Sequence, residues 1–279
     1  MLKGLVGALA TVCLFANPVD AKLLKLHKIP SKSNVLKTYV TGNPSQEKLA
    51  SPFNILVWNM YKGSNDSWES DFKALSTNAN IIISQEMYLD NKMFNVFKTH
   101  GDFYYNMATS FFYKGETRTG VATISDHQPS SVDYLRSHYR EPFIRTPKIV
   151  MITTHPLENG EELLVANIHA INFVSAKKLK HQIKEVLERI KNHSGPVIFA
   201  GDFNVWSKKK TKMLRELMAD AKMTEVKYSK DEDDRMRVLG KVLDYIFYKN
   251  LNLVTSEVKG EIEGADHKPL TATFEVFTP

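Results

Sequence analysis

The chain has 279 residues, of which 43% are hydrophobic and 24% are charged, a composition that is typical of a globular protein. A chain of this length buries a full core without cross-links, and its single cysteine excludes a disulfide framework. Its formal net charge of +6 favours anionic partners such as nucleic acid or a phospholipid surface.

Residues 1–21 have the pattern of a secretory signal peptide. A basic start that ends at Lys3 is followed by the apolar run of residues 4–16, and small residues precede Lys22. The apolar run is short for a membrane-spanning helix. We therefore predict cleavage before Lys22 and a periplasmic or secreted protein, with a retained N-terminal anchor as the alternative. Cleavage also removes Cys13, the single cysteine.

Residues 22–52 contain Lys, Ser and Pro with little periodicity, which predicts a linker or an arm on the domain surface. Residues 53–279 are predicted to form one domain, in which strands and helices alternate. The predicted strands are short and rich in β-branched and aromatic residues. They are NILVWN, IIISQE, VATIS, KIVMITTH, LLVANIHA, VIFAGDF, DYIFY and LTATFEVF.

Three amphipathic helices are predicted between these strands, with Ser67, Ser175 and Ser207 as candidate N-caps. Because some strands alternate with helices and others follow one another directly, the pattern indicates an α/β sandwich. The aromatic-rich residues 93–115 are interpreted mainly as core packing, with peripheral membrane contact as the alternative.

Polar residues follow the apolar strands at six points. In VIFAGDFN, the period-two alternation of a strand places Asp202 and Asn204 on the same side. The other strand ends supply Asn59, Glu86, His169, Asp244, Asp266 and His267. Each has a structural explanation of its own, such as a turn residue, a helix cap or a core histidine. Six such coincidences are improbable, and strand ends in layered α/β folds line the ligand crevice, so we predict a functional site.

These residue types favour metal-assisted cleavage of a phosphoester. Carboxylate and amide oxygens are hard ligands that suit Mg²⁺, whereas zinc favours His or Cys clusters at short spacing. His and Asn side chains can donate hydrogen bonds to the phosphate oxygens of the transition state. Neither Ser nor Cys stands among the strand-end residues as a nucleophile, so we expect attack by water.

The stretches VWN, SQE, NIHAINF, AGDFN, LDYIF and ADHKP resemble, in the same order, the successive motifs of the endonuclease/exonuclease/phosphatase superfamily, which includes deoxyribonuclease I. The resemblance extends from about Phe53 to Phe277. VWNMYKG, VANIHAINF and GPVIFAGDFNVWSKKK look most like the YafD-like proteins, a bacterial branch of that superfamily. The resemblance implies a four-layer α/β sandwich with two packed mixed β-sheets flanked by helices, and a site at one edge of the sandwich.

The resemblance also implies roles for the site residues. Glu86 would be the principal Mg²⁺ ligand, assisted by Asn59 and Asp266, with Mn²⁺ as a substitute for Mg²⁺. Asp202 and Asn204 would orient the attacking water and the phosphate.

Four further roles follow from the same resemblance. His267, held by Asp244, would share the acid–base role with Asp202. His169 would donate to a phosphate oxygen. Arg118 in TRTGVA is a candidate for a second phosphate contact, with a surface salt bridge as the alternative.

Two departures argue against an abasic-site repair enzyme, as does export. Tyr61 stands where such enzymes usually have an acid, and His169 stands where they usually have Tyr. Basic clusters at residues 177–184 and 208–215 follow two of the site strands, although solvated helix faces are the alternative explanation. We therefore predict an exported, monomeric Mg²⁺-dependent phosphodiesterase that acts on nucleic acid and has no protein partner. The alternatives are a sphingomyelinase-type or phosphoinositide phosphoesterase and a catalytically silent binding module.

Overall fold

The computed structural model describes residues 27–45 and 47–277, so the predicted signal peptide lies outside the described residues. In the described part, sixteen strands and four α-helices are present. The strands are β1 (His27–Lys28), β2 (Leu36–Thr41), β3 (Phe53–Asn59), β4 (Ile81–Leu89), β5 (Phe103–Tyr113), β6 (Thr117–Ser125), β7 (Ser131–Arg140), β8 (Pro147–Pro156), β9 (Glu162–His169), β10 (Val197–Asp202), β11 (Thr224–Glu225), β12 (Arg237–Val238), β13 (Lys241–Val242), β14 (Asp244–Lys249), β15 (Leu251–Val258) and β16 (Leu270–Val276). The helices are α1 (Trp68–Ser76), α2 (Asn91–Thr99), α3 (Ala176–Lys191) and α4 (Lys208–Asp220).

The strands form two large sheets and one short hairpin. The larger sheet has eight strands in the order β1-β5-β6-β4-β3-β16-β15, and β2 also pairs with β5. The second sheet has six strands in the order β11-β14-β10-β9-β8-β7. Each sheet contains one parallel pair among antiparallel pairs, β3–β4 in the larger sheet and β9–β10 in the second. Both sheets are therefore mixed, as the resemblance implied.

Alternate side chains of the central strands enter different apolar layers. Ile55 and Val57 of β3 pack with Ile198 and Ala200 of β10 between the two sheets. The intervening residues of β3 pack against α1 and α2, and those of β10 pack against α3 and α4. The layers follow the order helix, sheet, sheet, helix, which confirms the four-layer sandwich.

The three predicted helices are present, and the three serines occupy their N-cap positions. Only Ser207 makes a capping bond, accepting a hydrogen bond from the backbone N–H of Lys210. Ser67 instead donates its hydroxyl to the carboxylate of Asp71 at 2.8 Å, and Ser175 makes no side-chain capping bond. Within residues 27–45 and 47–277, none of the helices has the length and apolar composition required to cross a membrane.

The helix α2 was not predicted, and it lies in the aromatic-rich stretch. It begins after Asp90, whose carboxylate accepts a hydrogen bond from the backbone N–H of Met93 at 2.9 Å. Phe97 is buried, and its ring stacks on Tyr105 of β5 at a centroid distance of 4.5 Å. Phe97, Phe103, Tyr104 and Tyr105 of this stretch are buried in the core, whereas Phe94 is exposed, so membrane contact by the stretch stays a prediction.

The segment before Phe53 includes edge strands of the larger sheet. β2 pairs with β5 along its whole length, and β1 pairs with the end of the same strand. Val35 is fully buried, and its carbonyl accepts a hydrogen bond from the N–H of Thr109 at 2.8 Å. This part of the predicted arm is thus an integral part of the sheet.

Candidate active site

Three strand pairs bring the predicted site residues to one edge of the sandwich. In the parallel pair β3–β4, Asn59 lies beside Gln85, the residue before Glu86. In the parallel pair β9–β10, His169 lies beside Asp202. β14 runs antiparallel to β10 and begins at Asp244, directly opposite Asp202. Because two pairs of parallel strands end at this edge, residues distant in sequence meet here.

Asp202 is held by hydrogen bonds to both of its carboxylate oxygens. The backbone N–H of Asn204 donates to Oδ1 at 2.9 Å, and the amide groups of Asn204 and Asn59 both donate to Oδ2 at 3.3 Å. Asn204 adopts a φ of 51°, a left-handed conformation that turns the chain back toward the carboxylate. Gly201 is required because a Cβ there would lie 2.1 Å from the carbonyl oxygen of Ile168.

His267 and Asp244 form a buried pair next to Asp202. The Nδ1 atom of His267 donates to Oδ2 of Asp244 at 2.7 Å. The indole N–H of Trp58 donates to the His267 carbonyl at 3.0 Å, and Arg235 donates to the Asp244 carbonyl at 3.1 Å. One ligand atom from each of Asp202, Asp244 and His267 lies within 4.8 Å of the others. The Nδ1 bond orients the imidazole, and the two carbonyl contacts hold the backbone at both residues of the pair.

Glu86 lies between Lys62 and His169 in the site. Its Oε2 lies 3.2 Å from Nζ of Lys62, and its Oε1 lies 3.9 Å from Nε2 of His169. The same nitrogen of His169 is 3.7 Å from Oδ2 of Asp202. Glu86 has a φ of 53° at a bulge in β4, and such a bulge changes the direction in which a side chain points. Glu86, His169 and Asp202 thus form a continuous row.

The two carboxyls of this row have opposite pKa shifts. Although burial opposes ionisation, the positive charges beginning with Lys62 lower the pKa of Glu86 to about 2. Burial, together with the charge of Asp244, raises the pKa of Asp202. Glu86 is therefore a permanent negative charge at neutral pH, whereas Asp202 is closer to exchanging a proton.

The two histidines also differ. Burial and the charge of Lys148 lower the pKa of His169 well below its usual value, so the imidazole is neutral at pH 7. Burial also disfavours the charged form of His267, but the adjacent Asp244 outweighs it and raises the pKa of His267 to about 10. The site therefore combines one neutral and one positively charged imidazole.

Two lysines of the site were not predicted. A cleft beside Glu86 and His169 is lined by Lys62, by Lys148 of β8 and by Ile144. Lys62 stands three residues after Asn59 in VWNMYKG, a spacing that could have indicated it. Nothing in the sequence distinguishes Lys148 from the many other lysines, because β8 reaches the site only through its pairing with β9.

The residues present fit a hard divalent cation. Oε2 of Glu86 is buried, and its partner among the described residues is the ammonium of Lys62, so this position favours positive charge. Asn59 offers an amide oxygen, and the charge of the exposed Asp266 acts on Glu86. Glu86, Asn59 and Asp266 could therefore hold the cation, and this assignment stays a prediction. The donors of Asp202, Asp244 and His267 form an adjacent group that is already hydrogen-bonded.

Arg118 is separated in its contacts from the other predicted site residues. Its guanidinium donates to the Asn34 carbonyl at 2.9 Å and to Oγ1 of Thr109 at 2.8 Å, and lies over the ring of Phe112. These hydrogen bonds take the place of the surface salt bridge considered as the alternative. They attach the N-terminal segment to the sheet, and a phosphate contact by Arg118 stays a prediction.

The chain resembles known proteins over most of its length. Residues 56–269 match the model of the Endonuclease/Exonuclease/phosphatase family. A UPF0294 protein of Vibrio campbellii is 33% identical over 222 residues, which cover 79% of this chain and 77% of that protein. A UPF0294 protein of Klebsiella pneumoniae is 31% identical over 250 residues, which cover 88% of this chain and 90% of that protein.

The fold is also shared with a solved structure. An endonuclease/exonuclease/phosphatase family protein from Leptotrichia buccalis has a TM-score of 0.62 at 18% identity, covering 80% of this chain and 99% of that chain. The UPF0294 relatives represent the bacterial YafD-like branch, and members of the superfamily are typically hydrolases of phosphoester bonds. With its family match, its sandwich and its strand-edge site, the chain belongs to the endonuclease/exonuclease/phosphatase family.

Proposed function

We propose that the protein is an exported, Mg²⁺-dependent phosphodiesterase that hydrolyses nucleic acid. The observation that carries this proposal is the row of contacts from Glu86 through His169 to Asp202, with the His267–Asp244 pair beside it. This group of residues combines acidic oxygens that can hold a cation, donors for phosphate oxygens, and Asp202 and His267 as the residues that exchange protons. No other group of described residues in this fold combines these three functions.

The first task of the site is to hold the phosphate. Glu86, Asn59 and Asp266 would hold the cation, and a bound Mg²⁺ would supply positive charge that offsets the negative charge of the phosphate oxygens. The neutral imidazole of His169 donates a hydrogen bond to one of these oxygens. The amide of Asn204 positions Asp202, because its two N–H groups donate to the Asp202 carboxylate and to the Ala170 carbonyl. The buried hydrogen bonds of Asn204 and Asp202 restrict their motion, and displacement by about 1 Å can cost a hundredfold in rate.

The second task is proton transfer. Water attacks the phosphorus, so a P–O bond forms to the water oxygen and the P–O bond to the leaving group breaks. The water gives one proton to the Asp202–His267 pair, and the leaving oxygen takes one proton from it, so the pair returns to its starting state. Asp244 orients His267 and balances its charge throughout.

The distribution of charge favours nucleic acid as the substrate. α3 and α4 begin shortly after the strands that end at His169 and Asp202, and their first turns carry exposed lysines. A polyanion can contact several of these lysines at once, and such contacts weaken with added salt. The second candidate is a lipid phosphodiesterase, and it is favoured by the exposed Phe143 and Ile144 beside the cleft.

The test is a substrate screen with the purified protein. Plasmid DNA, RNA, sphingomyelin and phosphoinositides are each incubated with and without Mg²⁺, using wild type, Asp202→Ala and the exposed control Asp231→Ala. We expect Mg²⁺-dependent cleavage of nucleic acid by wild type and the control only. Cleavage of lipid alone would establish the second candidate. Absence of turnover on every substrate would leave a binding module.

Export is tested separately. We expect the protein in the periplasmic or extracellular fraction, with an intact mass that corresponds to a chain beginning at Lys22. Recovery of the uncleaved chain in the membrane fraction would instead show a retained anchor.

A further inference from the structure

Three aromatic side chains form an exposed row at the margin of the site. The ring centroids of Phe143 and Phe173 are 5.7 Å apart, and those of Phe173 and Trp206 are 6.3 Å apart. Phe143 is 61% exposed, Phe173 is 45% exposed and Trp206 is half-buried. We call Phe143, Phe173 and Trp206 the aromatic ridge. Clustered exposed apolar surface of this kind marks a binding surface more often than scattered residues do.

The aromatic ridge is held in place by a polar support. The side-chain oxygen of Asn172 accepts hydrogen bonds from the backbone N–H of Phe173 and from the indole N–H of Trp206, both at 2.8 Å. The backbone N–H of Asn172 in turn donates to the buried carboxylate of Glu141 at 3.0 Å. Phe173 has a φ of 54°, which is unfavourable for an aromatic residue. Such strain persists where surrounding contacts fix the conformation, and it is common at ligand sites.

The aromatic ridge continues directly into the cleft. Ile144, the residue after Phe143, lines the cleft together with Glu86 and His169. Trp206 follows Asn204 by two residues, at the end of the segment that carries Asp202. A chain-like ligand whose phosphate lies in the site therefore has its neighbouring groups beside these rings.

The charges around the aromatic ridge fit a polyanion. Arg145, Lys208 and Lys209 are exposed beside it. The Nζ of Lys210 lies 4.3 Å from the centroid of the Trp206 ring, is buried, and makes no hydrogen bond within the described residues. Phosphates nearby would stabilise this buried charge by Coulomb attraction, whereas an uncharged hydrocarbon environment around Trp206 would supply no compensating charge. The charges therefore favour nucleic acid over a membrane.

We propose that the aromatic ridge stacks unpaired bases and gives the protein a preference for single-stranded nucleic acid. Every base has a flat face that can stack on an aromatic ring, so such binding tolerates any sequence. In a duplex these faces are covered by neighbouring base pairs. The inference extends the proposed function by naming the form of the substrate, but base stacking itself requires no turnover.

The experiment measures binding in EDTA, where the metal-dependent reaction does not proceed. Fluorescence anisotropy is recorded for a labelled oligothymidylate of about 12 nucleotides and for a duplex of equal length. The test variants are Phe143→Ala and the double variant Phe143→Ala/Phe173→Ala. The controls are Phe143→Trp, which keeps a stacking face, and Phe277→Ala, which removes a comparably exposed phenylalanine outside the ridge. We expect the double variant to lose about tenfold or more in single-strand affinity. Phe143→Ala should lose less, and Phe143→Trp and Phe277→Ala should match wild type.

The proposal is overturned if the double variant binds the single strand as wild type does, or if it weakens duplex binding equally. It is also overturned if the variant loses binding to anionic phospholipid vesicles while oligonucleotide binding is retained, because the ridge would then be a membrane contact.

Nuclease assays with Mg²⁺ distinguish failure of this inference from failure of the proposed function. Ridge-dependent binding without any cleavage would contradict the proposed function alone, and cleavage with ridge-independent binding would contradict this inference alone.

Discussion

Asp202 and Asp244 are direct cross-strand neighbours at the ends of β10 and β14, and both carboxyls are buried. Like charges opposite each other destabilise a sheet. The imidazole of His267, 2.7 Å from Asp244, offsets part of this repulsion. The facing carboxyls therefore lower the stability of the folded protein, but they place Asp202 and His267 where they can exchange protons. Such a costly arrangement of titratable groups is the pattern expected of a catalytic site.

The first prediction is that Asp202 and His267 act as one unit. Asp202→Asn and His267→Gln should each lower the rate of phosphodiester cleavage by about 10²–10⁴-fold. The double variant should lose little more than the more damaging single variant, because the second change removes a function already lost. Initial rates on the substrate found in the screen measure this. The exposed pair Asp231→Asn/His138→Gln is the control, and multiplicative losses would contradict the prediction.

The second prediction concerns the cation. Glu86→Gln should weaken Mg²⁺ binding at least about tenfold, because it removes the ionised ligand and leaves an amide. Lys62→Met should strengthen Mg²⁺ binding, because the Lys62 ammonium is 3.2 Å from Glu86 and competes for the same carboxylate. Isothermal titration calorimetry measures both, with the exposed Glu188→Gln as control. Unchanged affinity in Glu86→Gln would show that the cation binds elsewhere, for example at Asp202 and Asp244.

The third prediction concerns a buried amide that joins the two sheets. Asn167 of β9 accepts a hydrogen bond from Gln85 at 2.8 Å and donates to the carbonyls of Ser84 and Ala122. All four residues are buried in the core. Asn167→Ala removes three buried hydrogen bonds, each worth roughly 0.5–1.5 kcal/mol. We expect the free energy of unfolding in urea to fall by about 3 kcal/mol. Exposed Asn252→Ala should change it little, and an equal effect in both variants would refute the assignment.

The fourth prediction concerns pH. His155 is fully buried, 2.9 Å from His127 and 2.8 Å from Thr153, and burial with the nearby His127 lowers the pKa of His155 well below its usual value. The unfolded chain therefore binds a proton at a higher pH than the folded protein. The contribution of His155 to the free energy of unfolding should be constant above about pH 6.5 and fall at lower pH by up to about 1.4 kcal/mol per pH unit. The raised pKa of His267 has the opposite sign, because its contribution decreases as the pH rises from about 6.5 toward 10. The contribution of His155 is therefore measured as a difference between variants.

Urea unfolding between pH 8 and pH 5, in EDTA, checks the fourth prediction. Toward pH 5, the free energy of unfolding of His155→Gln should rise relative to that of wild type, whereas the difference between the exposed His138→Gln and wild type should not change with pH. A decrease of the same slope in His155→Gln would assign the acid sensitivity to other groups.

The sequence was sufficient to predict the layers of the fold because the central strands are buried on both faces. Such strands appear as continuous apolar runs, as in β3, β9 and β10. The edge strands β2, β7 and β15 were missed because they are largely exposed and carry polar and charged residues. Their strand structure depends on pairing with a neighbour, which local composition does not report.

The site residues also divide into those that the local sequence predicts and those that depend on tertiary contacts. Residues at the ends of apolar strands, such as Glu86 and Asp202, were predictable because the strand fixes where they lie. Lys62 follows a short turn with left-handed residues, and Lys148 reaches the cleft through β8, so neither position follows from a strand end. The contacts of Arg118 with Asn34 could not be predicted, because they depend on how the N-terminal segment crosses the sheet.

That N-terminal segment has a consequence for solubility. β1 and β2 occupy the outer side of β5, whose backbone N–H and C=O groups would otherwise face solvent. Unpaired strand edges are templates for pairing with a second molecule. A shortened chain that begins at Phe53 would retain the residues of the candidate site and yet be expected to aggregate through β5.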